Sequence, residues 1–430
     1  MNLIAIALAA SGILYIIFGK REAVLKRANV YVLVLISIVP LYAAPNNVVV
    51  ITFGIASLVL LLVCVQASVR IRIDFTILPI LILLSLELFS RLRGGSPQLA
   101  LFNTVIIVFA FLAILVCATA VRESGWFTFA MTLAVLLPFH LVVSVLEQGG
   151  VVSTLWPRGT EIDDISHRPN RLLEILPGRS MSTLGHPIVL GFICGVTAIL
   201  ALHYFLNSSR WWGVVFLLAV VISGLSGARS AFFATVVACL YLFLRSRKSG
   251  TRVVIMGLAL AVGVLLYQGG YFAEDTFSEV ETQSSYTHRL SVTTGVQDYI
   301  GQASPESLAF GRGIYDYLQF LTNGIFGSRE DLTSFDNQIV RSLVVSGLVG
   351  VAAVVLTMVV GWVRGSGVAR ATLVYSAVLM FSFDMFTWII SLVIFGIATT
   401  AGTQQRDDNS PSPSPLKTST RRTAVSRARS

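Results

Sequence analysis

Three arginines stand in short polar motifs beside apolar stretches of this 430-residue chain. The motifs are Ser-Gly-Ala-Arg-Ser at 226–230, the segment from Arg179 to Pro187, and Thr-His-Arg-Leu at 287–290. A guanidinium is planar and permanently charged, and its N–H donors match the oxygens of a phosphate. At the start of an apolar helix, free amides and the helix dipole also favour an anion. Arg229 is therefore a candidate for binding a phosphate, and Arg179 and Arg289 are basic residues predicted on the same side of a membrane.

Each of these basic residues also has a structural interpretation. Arg229 could anchor a helix end by extending its guanidinium to the membrane surface, and composition favours neither reading. Arg289 could pair with an acidic neighbour, which is the favoured reading when the motif is taken alone. Arg341, about one turn inside an apolar segment, could point outward or face a site.

Carboxylates near apolar segments are the next candidates, because ionisable groups inside a membrane indicate function by default. Glu87 lies about a turn from the end of its segment, so we predict that its carboxylate reaches the surface. Asp384 is predicted to lie in a turn. Asp336 and Asn337 immediately precede another apolar segment.

Metal and nucleotide chemistry have no support in the sequence. The chain contains no HExxH, Walker or Cys/His motif, and its four cysteines lie inside apolar runs, as expected for buried free thiols. Two glycine motifs, Phe-Gly-Arg-Gly-Ile at 310–314 and Ser-Gly-Leu-Val-Gly at 346–350, each predict little when taken alone.

The elements that carry these residues follow from composition. Hydrophobic residues make up 55% of the chain and charged residues only 12%, with mean hydropathy +0.79. Soluble proteins have roughly a quarter charged residues. Repeated apolar runs are long enough to cross a bilayer. We therefore predict an all-α fold: a polytopic membrane bundle of 12–13 transmembrane helices, with a large extracytoplasmic loop containing short helices. The net charge of +9 does not indicate nucleic-acid binding, because no basic stripe alternates with aromatic residues.

The predicted spans are 2–18, 29–44, 48–66, 75–90, 99–119, 127–146, 184–204, 211–225, 229–244, 253–270 and 338–362. The stretch 371–399 predicts either one long helix or two short ones that turn near Asp384. These spans divide the chain into six predicted regions. Transmembrane helices occupy 1–146, 184–270 (with the Ser-Gly-Ala-Arg-Ser turn) and 338–400. They are separated by an outer loop at 147–183 and a large catalytic loop at 271–337, and a disordered basic tail follows at 401–430.

The distribution of charge predicts the orientation. Fourteen Lys and Arg residues occupy one set of short loops and only three the opposite set, so the first set is predicted to be cytoplasmic. This places the loops 147–183 and 271–337 outside. The second of them holds ten of the 22 acids and an apolar pattern at 290–300 that predicts a short helix lying on the membrane.

Taken in order, the motifs resemble the O-antigen ligase and O-antigen polymerase superfamily of bacterial envelope glycosyltransferases. The pieces are Arg179 with Thr183-x-Gly185-His186-Pro187, Ser-Gly-Ala-Arg-Ser, Arg289 early in a large loop, Phe310-Gly-x-Gly, Asp336-Asn337 and Gly347-Leu-x-Gly350. The resemblance covers roughly residues 175–400.

The resemblance implies an inverting, metal-independent and cofactor-free transfer of a glycan. The donor would be an undecaprenyl-diphosphate-linked oligosaccharide, the acceptor a sugar hydroxyl, and the place the outer face of the bacterial cytoplasmic membrane. It implies that Arg229 and Arg289 hold the diphosphate, with Arg179 a weaker third. It also implies partnership with the lipid bilayer and with other polysaccharide-assembly proteins, and none with nucleic acid.

One position departs from the family pattern. Ligases carry a histidine at the end of the large loop, where this chain has Asp336 and Asn337, so the resemblance is closer to polymerases. At that place Asp336 can accept a proton and Asn337 can orient a sugar hydroxyl. A flippase for a lipid-linked glycan is the alternative function. Transporters typically place charged or broken spans near the midplane, whereas these polar residues collect on one side.

Overall fold

The computed structural model describes residues 2–17, 23–40, 44–67, 75–93, 96–152, 170, 172–173, 176, 178–245, 295–314 and 337–402. Within these ranges the chain is helical and contains no β-strand. The helices are α1 (Asn2–Ile17), α2 (Val24–Ile38), α3 (Asn46–Gln66), α4 (Ile77–Leu92), α5 (Pro97–Ser124), α6 (Phe127–Gln148), α7 (Pro187–Asn207), α8 (Trp212–Ser226), α9 (Arg229–Arg245), α10 (Pro305–Phe310), α11 (Gln338–Arg364), α12 (Gly367–Met380) and α13 (Ile389–Thr400). Residues 295–302 are also helical, and short 3-10 helices span Ser182–Leu184 and Met385–Thr387.

Five of these helices, α3, α5, α6, α7 and α11, are long and apolar enough to cross a membrane. Helices α1, α8, α12 and α13 are apolar but shorter. The prediction of an all-helical fold is confirmed for the described residues, and their composition is consistent with a helical membrane bundle. The predicted span 253–270 and the tail beyond 402 lie outside the described residues, as does most of the loop 271–337.

Polar contacts between helix termini define two distinct ends of the bundle. At the Arg122 end, the Arg122 guanidinium joins three helices by donating to Thr400 O at 2.6 Å and to Thr76 Oγ1 at 3.0 Å. At the opposite end, which we name the Arg229 end, the Thr183 hydroxyl donates to Ser37 O at 2.6 Å. Helices α2, α4, α6, α8 and α12 end there, and α5, α7, α9, α11 and α13 begin there.

Helix α7 lies at the centre of the second half of the bundle, and small residues let its neighbours approach closely. A Cβ at Gly195 would lie 2.5 Å from Thr235 Oγ1 and 2.6 Å from Tyr375 Oη. The Tyr375 hydroxyl donates to Gly191 O at 3.2 Å. Glycine at such crossings permits close contact between helix backbones. This packing holds α7, α9 and α12 together. Helices α7 and α9 begin at the Arg229 end, and α12 ends there.

Two element boundaries refine the sequence predictions. The span predicted at 29–44 is wrong in position, because α2 runs from Val24 to Ile38 and ends before Pro40. Proline disfavours a helical conformation of the residue before it. The stretch 371–399 forms two helices, α12 and α13, joined by residues 381–388, which we name the Asp384 turn.

Candidate active site at the Arg229 end

The Ser-Gly-Ala-Arg-Ser motif forms a tight turn between α8 and α9. Gly227 ends α8 in the left-handed conformation (φ 63°), which glycine adopts without steric cost. Arg229 is the first residue of α9, and its side chain is exposed. The predicted position of Arg229 at a helix N-terminus is therefore confirmed.

The segment that carries Arg179 packs directly on this turn. A Cβ at Gly227 would lie 2.9 Å from Asn170 Oδ1 and 3.1 Å from Arg179 Cγ. Ser180 N donates to Leu225 O at 3.0 Å, and Asn170 Nδ2 donates to Gly224 O at 2.9 Å. The bond from Ser180 gives a donor to a carbonyl at the end of α8, and Gly224 O receives a second donor besides Gly227 N. Two arginines fifty positions apart in the sequence are thus associated with one glycine turn.

Helix α6 holds the Arg179 segment from the other side. Glu147 Oε2 accepts hydrogen bonds from Met181 N at 3.0 Å and from Ser182 N at 2.9 Å. Gln148 Nε2 donates to Ser180 Oγ at 2.9 Å, and His140 Nδ1 lies 3.0 Å from Ser182 Oγ. Ser182 has φ 53°, a left-handed conformation that side chains other than glycine rarely adopt.

The sequence reasoning missed Glu147, although one signal was available. An acid in the last turn of a helix lies where the helix dipole disfavours it, so some other interaction must keep it there. In this fold that interaction is with the two amides of the strained segment.

Glu147→Ala is expected to destabilise the protein by about 1–3 kcal/mol, because two amides lose their acceptor. Glu147→Gln keeps an acceptor oxygen in nearly the same place and is the matched control, with a smaller expected effect. Thermal unfolding of the detergent-solubilised protein measures both changes. Equal midpoints for Glu147→Ala and the unmodified protein would contradict the proposed role of this carboxylate.

A second group of charged residues is buried at the same end, between α4, α11 and the Asp384 turn. The Arg341 guanidinium donates to Glu87 Oε1 at 2.8 Å and to Glu87 Oε2 at 3.1 Å. Its Nε lies 3.0 Å from Asp384 Oδ2. The side chains of Arg341 and Glu87 are 1% and 2% exposed, whereas that of Asp384 is 12% exposed.

Arg91 completes this group, which we name the Arg341 network (Glu87, Arg91, Arg341 and Asp384). Arg91 Nε lies 3.5 Å from Glu87 Oε2, and Arg91 Nη2 donates to Phe386 O at 3.0 Å. The network contains two arginines and two acids, so its formal charges balance. Buried ion pairs persist only where charge and hydrogen bonds are compensated in this way.

The geometry of the Arg341 network gives the outcome of three predictions made from the sequence. The interpretation of Glu87 as a carboxylate that reaches the surface is wrong, because the Arg341 guanidinium compensates its charge inside the protein. Arg341 points inward. Asp384 lies in a turn as predicted, where it immediately precedes a 3-10 helix.

The two glycine motifs, which seemed uninformative separately, contact each other. Gly347 interrupts α11 with φ 69° and ψ −166°, which frees backbone carbonyls in the turn before it. Arg312 N donates to Val344 O at 2.9 Å, and Gly313 N donates to Val345 O at 3.0 Å. A Cβ at Gly347 would lie 2.3 Å from Ala309 O, so only glycine fits there.

The helix at 295–302, which overlaps the predicted short helix of the large loop, packs on the first part of α11. Tyr299 is buried there with Val340, Leu343, Val344 and Val345. The described residues 295–314 are thereby attached to α11 at two places, by this apolar cluster and by the 310–314 turn.

The remaining predicted site residues divide into one that is described and two that are not. Asn337 caps α11, because its Oδ1 accepts from Ile339 N at 3.0 Å and Val340 N at 3.1 Å. Its proposed contact with a sugar hydroxyl stays a prediction. Arg289 and Asp336 lie outside the described residues. Among the residues that the structure describes, no three His, Cys, Asp or Glu side chains are grouped to hold a metal ion.

Comparisons of the chain with protein-family models, with curated proteins and with solved structures find no match. The class that the described residues define is an all-helical protein with five helices able, by length and composition, to cross a membrane. Within that class, the arginines and carboxylates of the Arg229 end are the residues available for chemistry.

Proposed function

We propose that this protein is an envelope polysaccharide polymerase or ligase. It transfers a glycan from an undecaprenyl-diphosphate carrier to a sugar hydroxyl at the outer face of the bacterial cytoplasmic membrane. The observation that carries the proposal is the packing of Arg179 against Gly227, two residues before Arg229. This packing joins two motifs on which the resemblance to O-antigen ligases and polymerases rests.

The chemistry of the donor explains the need for arginine. When the bond between the glycan and the lipid diphosphate breaks, the diphosphate gains negative charge. Preorganised guanidinium groups stabilise that charge in a partly dehydrated site without a metal ion. Arg229, exposed at the first turn of α9, is the principal candidate, with Arg289 and Arg179 as its partners.

The arrangement of the polypeptide in the membrane is part of the proposal. The described helices, together with the apolar segment 253–270, would supply the 12–13 spans. The Arg229 end would then face outward, at the level of the lipid headgroups. The large extracytoplasmic loop would bring Arg289, Asp336 and Asn337 to this end, with Asp336 and Asn337 close to the acceptor hydroxyl. The Asp-Asn pair favours a polymerase over a ligase.

A flippase for a lipid-linked glycan is the second candidate, and two observations favour it. Transporters commonly contain buried ionisable groups and broken helices, as in the Arg341 network and in α11 at Gly347. The Arg341 network lies near one end of the bundle, however. Glu87 is in the last two turns of α4 and Arg341 is in the first turn of α11. That placement supports chemistry at one interface over passage through the midplane.

Transfer assays with purified protein test the proposal. The protein is incubated in detergent with its native lipid-diphosphate-linked oligosaccharide and EDTA, and the products are separated by size. A ladder of longer lipid-linked glycans identifies a metal-independent polymerase, and transfer only to a different added acceptor identifies a ligase. Absence of transfer, together with movement of the donor across liposomes, would establish the flippase instead.

A further inference from the structure

The two carboxylate oxygens of Asp384 have very different surroundings. Oδ2 accepts from Arg341 Nε at 3.0 Å and from the Thr387 hydroxyl. Oδ1 is buried and receives no hydrogen bond from any residue that the structure describes. A buried carboxylate oxygen without a donor is costly, so it indicates a place where another donor binds.

Aromatic residues occupy the same turn as Asp384, among them Phe383 and Trp388. Trp388, partly exposed, stacks with Phe383 at 6.3 Å between ring centroids and lies 5.4 Å from the His186 ring. An apolar ring face beside a few convergent polar atoms is typical of a small-molecule site. His186 begins α7, seven positions after Arg179, so the Asp384 turn adjoins the motif that contributes to the anion site.

We propose that Asp384 is the catalytic base for the acceptor, and that the acceptor sugar lies against Trp388 with its hydroxyl on Asp384 Oδ1. This inference rests on the proposed function and replaces Asp336 in the proton-accepting role. Asp384 Oδ1 takes the hydroxyl proton as the hydroxyl oxygen bonds to the anomeric carbon of the donor. The bond from that carbon to the diphosphate breaks, and its electron pair leaves with the lipid diphosphate.

The surroundings of Asp384 suit this role. Both oxygens of Glu87 accept hydrogen bonds from Arg341 and so hold its guanidinium in place. Because that guanidinium binds Asp384 Oδ2, it also fixes the orientation of Oδ1. Burial raises the pKa of Asp384 above its ordinary value, while Arg341 and the Thr387 hydroxyl oppose the rise. The other charged groups that act on Asp384 are Glu87 and Arg91. A carboxylate with a raised pKa is a stronger proton acceptor.

Asp384→Asn tests the inference, because it preserves shape and removes the base. The kcat for glycan transfer is expected to fall by about 10²–10³-fold, the usual contribution of a positioned base, with an unchanged KM for the lipid-linked donor. Ser382→Ala, in the same turn, is the control and should keep full activity. Asp336→Asn is measured in parallel, and a loss of kcat in that variant with a full kcat for Asp384→Asn would assign the base to Asp336 and overturn the inference. A full kcat for Asp384→Asn in an active preparation would overturn the inference while leaving the proposed function intact. No transfer by the unmodified protein would instead overturn the proposed function.

Asp384→Glu serves if the asparagine variant does not fold, since it retains the charge that pairs with Arg341. In the unmodified protein, log kcat should fall with unit slope as the pH drops below the pKa of Asp384, because protonation removes the base. The glutamate variant should keep measurable transfer with this acid limb displaced. An identical pH profile for the two proteins would overturn the assignment.

Discussion

Arg229→Lys is expected to lower glycan transfer by about 10²–10³-fold, the usual consequence of removing one preorganised donor from a site that stabilises developing charge. Lysine keeps the positive charge but cannot form the paired, planar hydrogen bonds of a guanidinium to a diphosphate. Arg229→Ala and Arg289→Ala should abolish long glycan altogether. Because Arg229 is exposed, none of its substitutions should reduce the amount of folded protein.

Arg210→Ala is the matched control, since Arg210 is equally exposed but lies in the α7–α8 connection at the Arg122 end. Transfer rates are compared at equal protein level, and glycan length in cells is examined alongside. If Arg229→Lys and Arg289→Lys both transfer glycan at the full rate, the proposed clamp on the diphosphate loses its chemical basis. A loss of activity in Arg210→Ala would show that general surface charge matters more than the site.

Arg341→Met is expected to give the largest loss of stability in the bundle, about 3–5 kcal/mol, because it leaves buried acids without their partner. Glu87 and Asp384 both pair with this guanidinium, and without it Glu87 would keep only its longer contact with Arg91. We expect little monodisperse protein on size-exclusion chromatography and a markedly lower thermal midpoint. The loss would affect folding itself, in contrast to the loss expected at Arg229.

Arg364→Met, in the exposed last turn of the same helix, is the control and should be close to neutral. Combining Arg341→Met with Glu87→Gln removes both charges of the closest pair. The double variant should be less destabilised than the sum of the single variants, because neighbouring sites are not additive. Strict additivity, or an unchanged midpoint for Arg341→Met, would show that the pair does not support the fold.

The sequence predicted those features that depend on neighbouring residues. Apolar length located most helices to within a few residues, and Gly227 predicted the tight turn before Arg229. The sequence did not predict contacts between residues that are far apart along the chain. Glu87 and Arg341 are 254 positions apart, so nothing local distinguishes an ion pair from two side chains that reach the surface.

The same limit applies to the candidate site. A glycine motif reports only a local backbone requirement, so the pairing of Gly347 with the 310–314 turn required the tertiary structure. Glu147 was missed because its partners, the amides of Met181 and Ser182, carry no side-chain signature. The sequence identified Asp384 as a turn residue. Which of its two carboxylate oxygens lacks a hydrogen bond depends on the position of Arg341, which the sequence does not give.

The attachment of the 310–314 turn to α11 has a consequence for the length of the chain between them. Gly313 is hydrogen-bonded to Val345, eight residues beyond Asn337, so Gly313 and Asn337 are separated by about 12 Å along α11. Doubling the length of a segment with fixed ends costs only about 0.6 kcal/mol in closure entropy. Closure entropy therefore sets little limit on the number of residues that joins Gly313 to Asn337, and the stability of the bundle should depend weakly on that number.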